Sequence, residues 1–230
     1  MPIFLISEKD PIFPDVALAD EHGIIGIGGN LETSTLLKAY QSGIFPWYNE
    51  FDPILWWSPN PRFVLFPENL KVSKSMRPYF NQQKFRVSLD THFHEVIKAC
   101  QRIKRQGQNS TWITDEMLEA YQLLHQLGYA HSVEVWEGDQ LAGGLYGVSL
   151  GRVFFGESMF TLRANASKFG FISLVRMLKE RNFWMVDCQQ ETNHLRTMGA
   201  EGISRSEFVE FLDRNRKEPT LVGDWSHWVE

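Results

Sequence analysis

HSVEVWEGDQLAGGLYGVSLGRVFFGESMF, residues 131–160, decides the fold. Val133 and Val135 alternate with polar or amphipathic neighbours, which is the period of a strand. Glu137-Gly138-Asp139 and Leu150-Gly151 are turn sequences. They cut the stretch into three strands, 131–139, 141–150 and 152–160, each joined to the next by a hairpin link. The glycines of LAGGLYGVSL permit close approach of a neighbouring chain. A helix capped by Asn165 or Ser167 follows and runs to about Arg181, with Leu174 and Leu178 one turn apart. WMVDCQ, residues 184–189, is then a fourth strand. A helical crossover makes the third and fourth strands parallel and able to be neighbours.

The resulting order is β-β-β-α-β in a mixed, mostly antiparallel sheet. It resembles the core order of the GCN5-type N-acetyltransferase fold, and the class is α+β. Outward from this core, TDEMLEAYQLLHQLG predicts a helix over 114–127, with Thr114 as cap and Gly128 as stop. Residues 91–106 also have a helical pattern, and RFVLFP and KFRVSLD alternate like strands. SKSMRPYF reads as a helical turn or short helix. A short helix around His194–Met198 and a last one near Ser206–Arg214, capped by Ser206, complete the C-terminal part. Residues 1–62 differ: GIIGIGGN, one short helix near 33–42, and Pro46, Pro53, Pro59 and Pro61 forbid long elements. The expected division is a small α/β region over 1–62 and a larger domain over 63–230.

Of 230 residues, 43% are hydrophobic and 22% charged, so a core can form and global disorder is excluded. No apolar run reaches the roughly 18 residues that span a bilayer, and MPIFLISEKD lacks the pattern of a secretory signal. Cys100 and Cys188 alone make no disulfide framework, so the expected setting is reducing and cytoplasmic. Net charge of −5 argues against a broad nucleic-acid footprint but leaves room for local basic patches. Such patches occur at Lys71, Lys74 and Arg77, spaced as one side of a helix, at Lys84 and Arg86, and at Arg102, Lys104 and Arg105. They read either as solvated faces or as a hold on a phosphate backbone.

FFGESMF, residues 154–160, carries a glutamate in an apolar strand, and burying an unpaired carboxylate costs several kcal/mol. Strand alternation places Val153, Phe155, Glu157 and Met159 on one face, and Asp187 and Gln189 together on the fourth strand. Trp184, Val186 and Cys188 then take the opposite face. If the parallel pair splays, Glu157, Asp187 and Gln189 converge in the gap. The alternative is that backbone amides or a basic partner satisfy the two carboxylates. His92 and His94 lack the spacing of a metal site, and GIGGN is no phosphate-binding loop. RANASK, where an acetyltransferase carries its pyrophosphate loop, has no glycine, so coenzyme A is disfavoured and neither cofactor nor metal is expected.

GIFPWY, WWSPNPR, TWIT, AYQLLHQLGYAHSVEVW, GGLYGVSLGRVFFGESMF, NASK, DCQ and HLRTMGA, in this order across residues 23–212, resemble the leucyl/phenylalanyl-tRNA–protein transferase family. Thr161 and Thr197 depart from it, standing where Ser is usual. The resemblance implies a monomeric bacterial enzyme. It would move Leu or Phe, and by extension Met, from aminoacyl-tRNA to proteins with N-terminal Arg or Lys, marking them for N-end rule degradation. It assigns Trp47 and Trp112, with Tyr40 near, to the 3′-adenosine of the tRNA. The donor side chain then falls to an apolar pocket of Leu145, Phe154, Phe155, Met159, Leu174 and Leu178. Glu157 is the expected partner of the cationic acceptor, and Asp187 with Gln189 the pair that takes the amine's proton or orients it. An acyl-coenzyme A acetyltransferase and a tRNA- or peptide-binding adaptor are the competing readings.

Overall fold

The computed structural model of the chain describes residues 3–103 and 112–229. Its elements run β1 (Phe4–Ile6), β2 (Ile24–Gly28), α1 (Thr33–Gln41), β3 (Phe45–Pro46), β4 (Leu55–Trp57), β5 (Arg62–Leu65), α2 (Arg77–Asn81), β6 (Arg86–Leu89) and α3 (Phe93–Arg102). They continue α4 (Asp115–Gln126), β7 (Ala130–Glu137), β8 (Gln140–Leu150), β9 (Val153–Thr161), α5 (Ala166–Glu180), β10 (Met185–Gln189), α6 (Asn193–Thr197), β11 (Glu201–Ile203) and α7 (Arg205–Asn215).

β7, β8 and β9 form the antiparallel meander that the hairpin turns dictate. The α5 crossover brings β10 back parallel to β9, with Val186 opposite Phe154. β5 extends this sheet antiparallel to β10, β11 pairs with β5, and β6 closes the other edge against β7. The order is β11-β5-β10-β9-β8-β7-β6, a mixed sheet with a single parallel pair. A separate four-stranded sheet, β1-β2-β4-β3, precedes it. Between β4 and β5 the chain passes from one sheet to the other, and the buried core is continuous across that passage. Tyr40 and Trp56 belong to the same apolar cluster as Val64, Phe93 and Tyr121. On the opposite face of the large sheet, Phe169, Leu174 and Leu178 of α5 pack with Leu145, Phe154 and Val186.

The local signals act as their chemistry requires at α4, where the Thr114 hydroxyl accepts from the Met117 amide at 3.2 Å. Gly128 follows in the left-handed region at φ +78°. Other expectations need correction. The cap of α7 is Ser204, whose Oγ accepts from Glu207 N at 3.1 Å, not Ser206. Ser204 is extended while Ser206 is already inside the helix, so only Ser204 can turn its hydroxyl onto the first turn. Asn165 precedes α5 with φ +67° and caps nothing with its side chain, which instead donates to the Tyr79 hydroxyl at 3.0 Å. Lys71 and Lys74 do not share a helix face with Arg77, because α2 begins only at Arg77, where Pro78 suits a first turn.

The largest correction concerns faces of β9. Gly147 pairs with Gly156 but Tyr146 pairs with Ser158, so Glu157 is an extra residue in a bulge. The bulge reverses alternation beyond it. Phe155 packs in the cluster of Tyr40 and Tyr121, while Met159, opposite Leu145, packs with Phe154 on the other face. Phe155 and Met159 therefore do not share a face. Gly147 has to be glycine beside this bulge: a Cβ there would lie 2.3 Å from the Phe155 carbonyl oxygen and 2.6 Å from the Phe154 ring.

Candidate active site

β10 pairs with β9 only from Met185 to Asp187, while β9 continues alone with β8 to Thr161. The gap this leaves opens into a cavity of about 480 Å³. Leu145, Phe154 and Met159 line it, together with Glu157 and Gln189, and Trp47 and Trp112 stand in its wall. These residues come from distant parts of the sequence onto one site, as the splayed pair requires. Phe155, Leu174, Leu178 and Tyr40 do not line it. Phe155 lies on the other side of the sheet with its ring 5.1 Å from that of Tyr40. Leu174 and Leu178 are fully buried between α5 and the sheet. Tyr40 is fully buried too, and reaches the site only through its hydroxyl. Residues that sequence reasoning did not assign complete the apolar wall: Phe45, Pro46, Phe171, Val186 and Leu195. Ser158, Gln190, Thr192 and His194 add polar atoms.

Glu157 owes its position to the bulge, which turns the extra residue away from the ladder and toward α1 and α4. Its Oε1 accepts from the Tyr40 hydroxyl at 2.7 Å and from Gln189 Nε2 at 2.9 Å. Its Oε2 accepts from the Tyr121 hydroxyl at 3.1 Å. The two tyrosine hydroxyls also contact each other. Burial raises the Glu157 carboxyl to about 7, a rise that the three donors reduce and the Asp187 charge increases. A carboxyl at that value is balanced between base and acid near neutral pH. Tyr121 is a residue the helical pattern concealed: at the period of α4 it reads as one more core position.

Asp187 is placed differently from a group awaiting an amine. It is 0% exposed and both its oxygens are engaged. Arg62 Nε donates to Oδ1 at 2.8 Å and Nη2 to Oδ2 at 2.6 Å, a bidentate ion pair. Oδ1 also accepts the Gln189 amide at 2.9 Å. Arg62 is itself 1% exposed, lies 4.8 Å and 4.6 Å from the ring centroids of Phe45 and Phe208, and donates to the Gly43 carbonyl. The basic-partner alternative thus describes Asp187. Arg62 was visible as the single cation opening the apolar strand RFVL, but nothing in the sequence ties it to Asp187, 125 residues away.

The register of β10 against β5 slips between Asp187 and Gln189, and Gln189 takes φ +61°, uncommon for a residue with a side chain. The Asp187 carboxylate holding the Gln189 amide stabilises that turn. The side chain is thereby aimed at Glu157 instead of following the alternation that would put it beside Asp187. Cys188, on the face of Val186, also reaches the cavity wall, and burial pushes its thiol far up, so it remains protonated.

Lys71, Lys74, Arg77, Lys84 and Arg86 are all exposed. Lys84 approaches Glu137 at 3.8 Å and Arg86 lies 5.5 Å from the Trp136 ring centroid. Arg102 is exposed at the end of α3, and Lys104 and Arg105 lie outside the described residues. Among the described residues, no group of three or more His, Cys, Asp or Glu side chains could hold a metal ion, and no helix is long and apolar enough to cross a membrane.

Comparison with known proteins bears on the same residues. A family model described as leucyl/phenylalanyl-tRNA protein transferase matches residues 64–213, and a model of the N-terminal domain of that family matches 29–60. A leucyl/phenylalanyl-tRNA–protein transferase of Syntrophus aciditrophicus is 53% identical over 226 residues, covering 98% of this chain and 94% of the relative. One from Christiangramia forsetii is 55% identical over 202 residues, covering 87% and 95%. A transferase of that name from Myxococcus xanthus is 50% identical over 227 residues, covering 98% and 97%. The cavity between the splayed strands and these relatives converge on one assignment: the chain belongs to the leucyl/phenylalanyl-tRNA protein transferase family and is a transferase of aminoacyl groups from tRNA to protein.

Proposed function

We propose that the cavity holds the leucyl or phenylalanyl side chain of the donor against Leu145, Phe154 and Met159, and that Glu157 serves the acceptor amine as base. The observation that carries this reading is the junction of an apolar wall with the Glu157 carboxylate, which two tyrosine hydroxyls and an amide hold at the cavity and burial raises to about 7. An apolar side chain gains about 25 cal/mol for each Å² it buries in such a wall. Trp47 and Trp112, at the cavity wall, offer aromatic faces for the terminal adenosine. The exposed cations from Lys71 to Arg86 carry the acceptor stem.

The reaction is aminolysis of the ester that joins the amino acid to the ribose. An α-amino group has a reference pKa of about 7.7–8.0, so a useful fraction is neutral near pH 7. The amine nitrogen forms a bond to the ester carbon and the carbon–oxygen bond to the ribose breaks. One proton must leave the nitrogen and one must reach the departing ribose oxygen. Glu157 accepts the first and returns it to the second. Gln189, bonded to Glu157 and aimed by Asp187, orients the carboxylate. Asp187 acts through Arg62 and Gln189 and does not take the proton itself.

The acceptor is a protein with N-terminal Arg or Lys, a cation that the Glu157 carboxylate attracts before transfer. The product carries N-terminal Leu or Phe and enters the N-end rule route of degradation in the bacterial cytoplasm. Incubating the protein with Phe-tRNA and an Arg-initiated peptide, with acetyl-coenzyme A as the competing donor, tests this. The expected product is the peptide heavier by one phenylalanyl residue. An acetylated peptide, or an unmodified one, overturns it.

A further inference from the structure

Tyr40, Tyr121 and Glu157 form a triangle. Its edges run from the Tyr40 hydroxyl to Glu157 Oε1 at 2.7 Å, from the Tyr121 hydroxyl to Oε2 at 3.1 Å, and between the two hydroxyls. Each edge needs one proton to be a hydrogen bond, and each tyrosine supplies one. With Glu157 ionised, two protons serve three edges, so one edge is a contact between oxygen lone pairs. With Glu157 protonated, three protons serve three edges. A proton on Oε2 donates to Tyr121, Tyr121 donates to Tyr40, and Tyr40 donates back to Oε1. A proton on Oε1 runs the same circle in reverse. The geometry therefore accommodates an added proton on either oxygen, after no more than a rotation of two hydroxyls.

We propose that Tyr40 and Tyr121 close a hydrogen-bond ring with Glu157 that holds the proton taken from the acceptor nitrogen until it passes to the leaving ribose oxygen. This rests on the reading of Glu157 as the base. The balance is complete within the reactants: the nitrogen loses one proton, the ring stores it on the carboxyl, and the ribose oxygen receives it. Burial and the Glu157 charge push both tyrosines well above their ordinary value, so they carry protons around the ring without giving one up. Tyr146 of β8 packs its ring on Tyr121, 5.6 Å between centroids. From β10 the ring is faced by the charge of Asp187, held by Arg62 of β5, and by the Gln189 amide, while Cys188, which burial keeps protonated, lies on the other face of that strand. His194 of α6 lines the same cavity and is pushed below its ordinary value by burial and Lys168. Tyr40 and Tyr121 are positioning residues here, and Glu157 is the group that meets the substrate.

The ring has a signature that ordinary donors lack. A tyrosine that only donates to a carboxylate stabilises its ionised form, so removing it should move the acid limb of the rate to higher pH. Tyr40 and Tyr121 donate to the ionised carboxylate and in that role lower its proton affinity, but closing the ring adds a bond that only the protonated carboxyl makes. Because that bond outweighs the donation, removing a tyrosine should move the limb to lower pH. The test is single-turnover peptide-bond formation with Phe-tRNA and saturating Arg-initiated peptide, across pH 5 to 9. Wild type, Tyr121→Phe, Tyr40→Phe and Glu157→Gln are compared. The acceptor's own amine contributes the same limb in every variant, so a displacement belongs to the enzyme. We expect each Phe variant to move the enzyme's part of the limb down by about half a unit to one unit, the worth of one hydrogen bond, and Glu157→Gln to leave only the limb of the acceptor amine. Infrared titration of the Glu157 carboxyl in the resting protein should show the same downward displacement without reference to activity. If Glu157→Gln leaves only the limb of the acceptor amine but the Phe variants move the enzyme's part up or leave it in place, the ring is wrong and the base stands. If Glu157→Gln keeps both rate and limb, the reading of Glu157 as base fails as well.

Discussion

Replacing Asp187 with Asn separates a structural from a chemical role for this carboxylate. The side chain is 0% exposed and its partner Arg62 is 1% exposed, so no water can take over solvation of the arginine. Asn keeps the shape but turns an amide N–H₂ toward one of the two guanidinium donors. Two charge-assisted bonds of 2.8 and 2.6 Å are reduced to one weaker bond, and a buried cation is left without its counterion. Breaking a buried pair by removing one partner costs about 3–5 kcal/mol. At roughly 2–4 °C per kcal/mol for a chain of this size, Tm should fall by about 10 °C, read by tryptophan fluorescence. The folded fraction of Asp187→Asn, assayed well below its Tm, should lose about tenfold in kcat through a loosened Gln189. Loss of a general base costs about 10²–10⁴-fold. Arg62→Met combined with Asp187→Leu removes both charges and should restore most of the stability while leaving kcat low, since the Gln189 amide still lacks its acceptor. An Asp187→Asn variant that keeps its Tm within about 2 °C and yet loses 10²-fold or more in kcat would show that Asp187 does the chemistry.

Glu157→Gln should be more stable than wild type by about 1–3 kcal/mol at pH 8. The folded carboxyl is raised from 4.5 to about 7, so its stabilising contribution is present below 4.5 and lost as pH rises through 7; the advantage of Gln should vanish below about pH 4.5 in urea titrations. Trp47→Ala should raise KM for Phe-tRNA by the equivalent of about 1–3 kcal/mol and weaken competition by puromycin, and an unchanged KM removes Trp47 from the adenosine platform. Reversing Lys71, Lys74 and Arg77 to Glu should raise KM for aminoacyl-tRNA and flatten its salt dependence but spare a short aminoacyl-adenosine donor, whereas equal loss with both donors makes these residues structural. Cys100→Ser and Cys188→Ser should each retain activity, because attack is direct; a trapped aminoacyl-enzyme refutes that.

The frame of the fold was legible because local chemistry and global topology agree along residues 130–189. Turn residues fix the hairpins and the α5 crossover fixes the parallel pair, each within a short span of sequence. The candidate site was legible in some of the residues that the cavity brings together, and not in their contacts. Glu157 and Gln189 were chosen by alternation, yet neither obeys it: one sits in a bulge and the other in a left-handed turn. Bulges are invisible to a period-2 count, because one extra residue leaves no mark in composition. That is why Met159 was placed on the wrong face and Phe155 was credited with lining the cavity. Leu174 and Leu178 fit the helical stripe equally well whether α5 turns it to the cavity or to the core. Arg62 and Tyr121 escaped because their partners are 125 and 36 residues away, and no spacing rule reaches across such distances.

The two carboxylates show why a residue's identity does not decide its chemistry. Asp187 and Glu157 stand on adjacent strands beside one cavity, and by sequence the amine's proton falls to Asp187 with Gln189 and the cationic acceptor to Glu157. Their surroundings drive them apart. Asp187 stands in the cavity wall but receives a guanidinium and a backbone amide, which engage both of its oxygens. Glu157 receives hydroxyls and a neutral amide, is desolvated, and feels the negative charge of Asp187. A proton on Glu157 relieves both burial and repulsion. The charge of Asp187 thus raises the proton affinity of its neighbour. Neutralising Arg62 and Asp187 together takes away that repulsion, so Arg62→Met with Asp187→Leu should move the acid limb of the Glu157-dependent rate to lower pH. A limb that stays where it is in this double variant would mean that burial alone sets the affinity of Glu157 for its proton.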